Sequence, residues 1–338
     1  MRKPTRRREV GRGERVLPGV WRLRLPLPWP GVPHCNAWAL AAGDGIVLVD
    51  TGMHEPGSMA HLERALDQAG LRVEHVRLLV CTHAHVDHCG QAAPVKERAG
   101  CELWIHPAHG HLTIASDDDG DRAMLRRAEV ARQSGVPEEP LRRWLESRRG
   151  ISSGMAGPLE VDRDLVPGVR VETDLGAWDV IETPGHAPSH VCLHQPERRL
   201  LISGDHLLGR VSPYFDGGHT PDPVGEFLSS LDAVAVLDAR LCLSGHGRPF
   251  TDVGGHVGAN RRLVAEQLEA VRAALAAGGE QTAYDIARRA YPDAFGEHSA
   301  TWLLSLTLSW LTHLAALGEA ERREPGGDQV PETWRAPA

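Results

Sequence analysis

Thr82-His83-Ala84-His85-Val86-Asp87-His88, read as T-H-A-H-V-D-H, decides how the rest of the chain is interpreted. Three imidazoles and one carboxylate fall within a few positions. On an extended segment His83 and His85 point the same way. Asp87 and His88 are adjacent and cannot share that face, so the chain must curl around something. Neutral imidazole and carboxylate are preferred ligands for Zn²⁺ and similar first-row ions. The run before them, Val76-Arg77-Leu78-Leu79-Val80-Cys81, has the character of a short apolar strand. That puts the cluster at a strand's carboxyl end, where α/β and mixed folds keep their chemistry.

The same grammar of apolar strand, glycine and ligand-type residue recurs outward from this stretch. Upstream, Gly45 to Val49 delivers Asp50-Thr51-Gly52, and it pairs as a hairpin with Cys35 to Ala41 through a Gly43-Asp44-Gly45 turn. An acid at position 50 can orient a metal ligand from behind or cap the helix expected over 58–69. The sequence leaves both open. Downstream, Trp178 to Glu182 delivers Thr183-Pro184-Gly185-His186, Leu200 to Ser203 delivers Gly204-Asp205, and Ala239 to Leu243 delivers Ser244-Gly245-His246-Gly247. Glycine allows sharp turns and close backbone approach at each of these points. His190 reads as a packing or capping residue, and Cys89 as packed beneath the loop.

His83, His85, Asp87, His88, His186, Asp205 and His246 exceed what one tetrahedral ion needs and suit two divalent ions. The natural partition gives His83, His85 and His186 to one ion and Asp87, His88 and His246 to the other, with Asp205 bridging. Such a pair can share a hydroxide at neutral pH, which Asp87 can steer or relieve of a proton. Zinc is the first choice, and iron or manganese fit the same donors.

These motifs resemble the metallo-β-lactamase superfamily over roughly residues 16–255. The resemblance implies an α+β fold, an αββα sandwich of two mixed sheets with helices outside and metals at one edge. It carries the ligand roles over as partitioned, and Asp50 matches the aspartate that precedes the family's site. The chain looks nearest the glyoxalase II-like branch, and its C-terminal unit is similar to the winged helix of the lactamase-B2-like proteins. The basic residues with which glyoxalase II binds glutathione have no counterpart here, and antibiotic hydrolysis is not expected.

The 338 residues accommodate one large domain with smaller units. Residues 1–15 read as a disordered basic tail, 16–255 as the metal-binding domain, 256–325 as a helical, winged-helix-like unit and 326–338 as a tail. Residues 107–165 form a helical insertion, with helices expected over 121–134 and 138–149. It is either a lid or collar over the site or a solvated hairpin. Helices are expected over 261–277, 282–291 and 300–317. A net charge of −8 argues against binding nucleic acid through bulk charge. No run resembles a signal or a membrane span, so a cytoplasmic protein is expected.

The leading expectation is a dinuclear hydrolase that sends a metal-bridging hydroxide to the carbonyl of a small-molecule thioester, ester or lactone. Tyr214 is the side chain chosen to contact the substrate. His34 and His219 are read as surface residues. The alternative is a lactamase-B2-like endonuclease for single-stranded RNA, favoured by the Arg-rich N-terminus and by Arg142-Arg143 and Arg148-Arg149. The helix expected over 300–317 has no Lys or Arg in its first turns to meet phosphate, so packing on the main domain or a homodimer contact suits it better.

Overall fold

A computed structural model of the chain describes residues 10–337 except 30, 114–119, 149, 216, 297–298 and 325–329, and leaves the side chains of 112–113 and 120–123 aside. Seven strands form the first sheet in sequence order: β1 (Arg12–Leu17), β2 (Val20–Trp29), β3 (Val32–Ala42), β4 (Gly45–Val49), β5 (Val76–Val80), β6 (Glu102–Ile105) and β7 (Arg163–Asp164). The pairs up to β3–β4 are antiparallel, and those from β4–β5 onward are parallel. The second sheet is built from β8 (Arg170–Thr173), β9 (Gly176–Glu182), β10 (Val191–Gln195), β11 (Leu200–Gly204) and β12 (Leu241–Ser244), in the order β12-β11-β10-β9-β8. Only β11–β12 is parallel there.

Side-chain alternation assigns the layers. Along β4, Val47 and Val49 join one apolar cluster while Ile46 and Leu48 join another. Along β10 and β11, Val191, Leu193, Leu200 and Ile202 face the first cluster, whereas Cys192 and Leu201 face a third. The shared cluster, which also holds Trp38, Val80, Trp178 and Leu243, is therefore the filling between two sheets lying face to face. Outside the first sheet pack α1 (Ser58–Gln68) and α3 (Ala92–Ala99), through Leu62, Leu66 and Val95. Between those two helices lies the single turn α2 (Val86–Cys89). The insertion holds α4 (Gly110–Thr113), α5 (Gly120–Gln133) and α6 (Glu138–Arg148). Outside the second sheet pack α7 (Pro223–Ala235) and α8 (Val253–Ala276). The αββα order expected from the resemblance is present.

The chain departs from the sequence reading in four places. Arg12 to Arg15, read as tail, lie in β1, where Arg15 pairs with Trp21; residues 1–9 lie outside the described residues. Helix α8 begins at Val253 rather than Arg261, because Asp252 accepts from Gly255 N–H and starts it two turns early despite its glycines. Helix α7 was not anticipated; its apolar residues are interrupted by Gly225, Ser229 and Ser230. Finally, α9 (Ala283–Ala290) and α10 (Ala300–Ala316) lead into β13 (Glu321–Arg323), whose antiparallel partner β14 (Thr333–Arg335) comes from the stretch read as tail. Trp334 is buried there among residues of α8 and α9. One buried tryptophan in a polar run leaves no periodicity for a sequence reading to detect.

The apolar residues of α10 are used within the chain. Leu304, Leu306, Trp310, Leu311 and Leu314 share a cluster with α7 and α8. The insertion is tied to the same unit: Tyr284 N–H donates to Ser134 C=O at 3.0 Å, and Glu332 N–H to Gln133 C=O at 2.8 Å. No described helix is long and apolar enough to cross a membrane. If β14 is an integral strand, Trp334→Ala lowers the unfolding free energy by about 3–5 kcal/mol in a denaturant titration. An unchanged midpoint would return residues 331–337 to the status of a tail.

Candidate metal centre

Strands β4 and β5 end side by side, and the chain leaving β5 carries the T-H-A-H-V-D-H stretch. The chain bends at Thr82 and His83 and is extended again at His85. At Val86 the backbone enters α2, in which successive residues are about 100° apart. This turn is the curl that the spacing demands: it brings Asp87 and His88 into the cluster, with the His88 ring 4.2 Å from that of His83. Thr51 holds the turn, its N–H donating to His88 C=O at 2.7 Å and its hydroxyl to the same oxygen at 3.0 Å. The second sheet delivers His186 after β9, Asp205 after β11 and His246 after β12. Hydrogen bonds across the sandwich fix these loops together: Val191 N–H to Thr82 C=O at 2.9 Å, Asn36 N–H to Gly245 C=O at 2.7 Å and Asn36 Nδ2 to Ser244 C=O at 2.8 Å.

All seven candidate ligands converge. His85 Nδ1 lies 3.0 Å from His83 Nε2 and 2.9 Å from His186 Nε2. One ring nitrogen facing two others is poor hydrogen bonding. It is good ligation, because the edges of a tetrahedron with metal–nitrogen bonds of about 2.0–2.1 Å are about 3.3 Å. On the other side, His246 Nε2 is 3.2 Å from Asp87 Oδ2, and His88 Nε2 is 3.6 Å from the same oxygen. Asp205 lies between the groups: its carboxylate is 3.1 Å from His246, 3.4 Å from His88 and 3.7 Å from His186. Three sets of side chains here could hold a metal ion: His83, His85 and His186; His83, His88 and Asp205; and Asp87, His88 and His246. His88 Nε2 and Asp205 Oδ1 are buried without a hydrogen-bond partner, a costly arrangement that a bound cation relieves.

Most of the rings are oriented from behind. His88 Nδ1–H donates to Asp50 Oδ2 at 2.8 Å. His83 Nδ1–H donates to Thr82 Oγ1 at 3.0 Å, and that hydroxyl donates to Asp50 Oδ2 at 2.9 Å. His186 Nδ1–H reaches Tyr214 C=O and His246 Nδ1–H reaches His34 C=O, each at 2.9 Å. Each distal N–H is thereby committed, and the facing nitrogen is left as a lone pair. Asp50 does not cap α1, whose N-cap is Gly57; its carboxylate meets His88 and Thr82 instead.

Burial and the neighbouring imidazoles push His83 well below its usual pKa and His186 down to about 4, so both stay neutral. Burial acts the same way on His246 and His88, but there the carboxylates win. Asp205 and Asp87 raise His246 to about 10, and with Asp50 they raise His88 well above the ordinary value. Without metal, His83 and His186 on one side of the centre are neutral imidazoles. The other side is a cluster of imidazolium and carboxylate.

His190 has a larger part than the sequence suggests. It is buried, exchanges a hydrogen bond with Thr183 Oγ1 at 2.7 Å, and accepts from Asp205 N–H at 3.0 Å through Nε2. It thus fixes the backbone that presents Asp205. Gly204 sits at φ 46°, and a Cβ there would lie 2.6 Å from His190 Nε2. A Cβ at Gly245 would collide with the Asp205 carboxylate. Gly245 is therefore required by the candidate ligands themselves, and Gly204 by the histidine behind Asp205. His34, read as a surface residue, is half-buried and contributes through its carbonyl. Its ring is lowered to about 4 by burial and by Arg24. Tyr214 stands at the rim, its ring centroid 6.0 Å from His186 and 6.5 Å from His85. His219 lies farther out, 5.2 Å from His111, which is itself 6.3 Å from His85.

Comparison with known proteins agrees with this geometry. The family model of the metallo-beta-lactamase superfamily matches residues 30–246, a span that contains all seven side chains. A probable metallo-hydrolase of Bacillus subtilis (strain 168), YqjP, is 25% identical over 223 residues, 63% of this chain and 67% of that protein. A crystal structure of a metallo-beta-lactamase family protein from Thermus thermophilus is similar with a TM-score of 0.78 at 28% identity, covering 96% of this chain and 100% of that one. A beta-lactamase domain protein from Burkholderia ambifaria gives 0.76 at 27% identity, covering 96% and 93%.

Two measurements test the electrostatics and the orienting role. A cation that takes the lone pairs of His88 and His246 displaces their protons, so zinc titration of the metal-free protein at pH 7 releases about two protons. Calorimetry in buffers of different ionisation heat reads that number, and affinity rises with pH up to about 10, the value for His246. No proton release would mean that both rings are already neutral. Asp50→Asn weakens metal affinity by about 10–100-fold; wild-type affinity in that variant would remove Asp50 from the centre.

Proposed function

Because the chain belongs to the metallo-β-lactamase superfamily, we propose that it is a metal-dependent hydrolase with two ions, acting on the carbonyl of a thioester, ester or lactone. The observation that carries this reading is the position of Asp205, within 3.1–3.7 Å of ring nitrogens on both sides of the centre. His83, His85 and His186 would hold one ion and Asp87, His88 and His246 the other, with Asp205 shared between them. Bound there, divalent ions polarise the carbonyl and make water nucleophilic at neutral pH. The donors are nitrogen and carboxylate oxygen, which suits zinc first and iron or manganese next. The name of the Bacillus subtilis relative, a probable metallo-hydrolase, supports hydrolysis.

The chain's own groups do the rest. Asp87, buried beside His246, is held below the usual carboxylate range by His88 and His246 although burial works against it. In this reading it stays ionised, steers the nucleophilic water and passes on its proton. Tyr214 flanks the centre where a substrate would approach, and its backbone carbonyl fixes His186. We read α8 to α10 with the β13–β14 ribbon as a winged-helix-like unit, and the glyoxalase II-like branch as the nearest functional kin. A cytoplasmic location and a homodimer belong to the same proposal.

Part of the support for the ribonuclease reading is engaged elsewhere. Arg142 is paired with Glu139 and Glu146, Arg143 lies 3.8 Å from Glu139, and Arg148 sits over the Trp144 ring. Arg149 and the first nine residues lie outside the described residues. Metal analysis of the purified protein followed by a panel of acyl-glutathione, acyl-CoA, a homoserine lactone and single-stranded RNA separates the two readings. Cleavage of one of the first three is expected, with His85→Ala slower by more than about 100-fold, since losing an outer partner alone costs about 10–100-fold. Cleavage of RNA alone would transfer the centre to phosphodiesters.

A further inference from the structure

The loop that carries Tyr214 is gripped by the C-terminal unit. Ser305 Oγ on α10 donates to Phe215 C=O at 3.3 Å. The Phe215 ring, fully buried, meets Trp310 of α10 at 5.1 Å and Phe227 of α7 at 5.2 Å. Farther along, His313 Nδ1 lies 2.9 Å from Asp222. On the open side of this grip, Trp302 in the first turn of α10 stacks on Tyr214, with ring centroids 6.2 Å apart and planes at 21°. Aromatic rings thus run outward from His186 to Tyr214 to Trp302 in steps of 6.0 and 6.2 Å. Trp302 remains 44% exposed, one of the few large apolar side chains left in water among the described residues.

Water-exposed indole beside a buried polar centre is a place where apolar ligand surface can be removed from solvent. One face of Trp302 is already covered by Tyr214. The pair therefore cannot sandwich a planar base and instead offers a ledge, along which a flexible chain can lie. We propose that Trp302 and Tyr214 form the binding wall for an aliphatic acyl chain of medium length, with the carbonyl end at the metal ligands and the tail on Trp302. This assignment rests on the reading of the protein as a carbonyl hydrolase. It makes the C-terminal unit the source of chain-length selectivity.

The test uses the metal-loaded protein with acetate and octanoate as probes, read by calorimetry and by tryptophan fluorescence. Octanoate is expected to bind at least about tenfold more tightly than acetate, since each buried methylene contributes appreciably, and to change the fluorescence. Trp302→Ala should lose the preference and leave acetate binding unchanged, whereas Trp302→Phe should keep most of it. Because Trp302 is half in water, both variants should fold, and melting curves verify this. Equal affinity for the two carboxylates in the wild type, or a preference surviving in Trp302→Ala, overturns the proposal. An octanoate preference with an inert substrate panel would instead sink the hydrolase reading and leave the wall standing. Hydrolysis without any dependence on chain length would do the reverse.

Discussion

One carboxylate, that of Asp50, ties the centre to the fold. Its backbone sits at φ 65°, a conformation that costs a non-glycine residue about 1 kcal/mol or more, and its side chain is buried. It accepts from Thr82 N–H at 2.8 Å, from the Thr82 hydroxyl and from His88 Nδ1–H. The ends of β4 and β5 and the α2 turn are thereby joined at a single group. Through Thr82 it orients His83, on one side of the centre. Directly, it orients His88, on the other. A glutamate would be one methylene too long for the same contacts, and an asparagine would offer a donor where only acceptors are wanted.

The remaining ligands depend on a second constraint, the registration of the two sheets. His186, Asp205 and His246 all come from the second sheet, and the hydrogen bonds from Asn36 and Val191 that position them cross the sandwich. The filling between the sheets, with Trp38 and Trp178 fully buried, sets that registration. Trp38 joins the two roles, since its indole N–H also donates to Ser244 C=O at 3.3 Å. Packing and ligand geometry are therefore two aspects of one arrangement, and a cavity in the filling would be felt at the metal ligands.

Much of this was legible in the sequence because ligands are chemically distinctive residues placed after apolar strands. The seven side chains could be singled out from residue type, strand ends and neighbouring glycines alone. His190 could not, because a histidine that fixes another residue's backbone carries no spacing signal. Nor could the carbonyls of His34 and Tyr214, since a backbone acceptor leaves no trace in residue identity. A short hairpin arm is legible over 319–324, where β13 lies, but its partner β14 was missed because three residues are too few for alternation to register. The placement of Tyr214 against α10 is a long-range contact, and only the folded chain reveals which helix covers which loop.

The order of the ligands along the chain has a consequence for how the centre is filled in time. His83, His85 and His186 are all present once residue 186 has been synthesised, whereas the opposite group waits for His246, about sixty residues later. Ribosomal synthesis proceeds from the amino end, so the three-imidazole group is complete in the nascent chain before the carboxylate-rich group is. Both carboxylates, Asp87 and Asp205, are also made before the last of the seven side chains, so the final piece of the centre to leave the ribosome is the imidazole of His246.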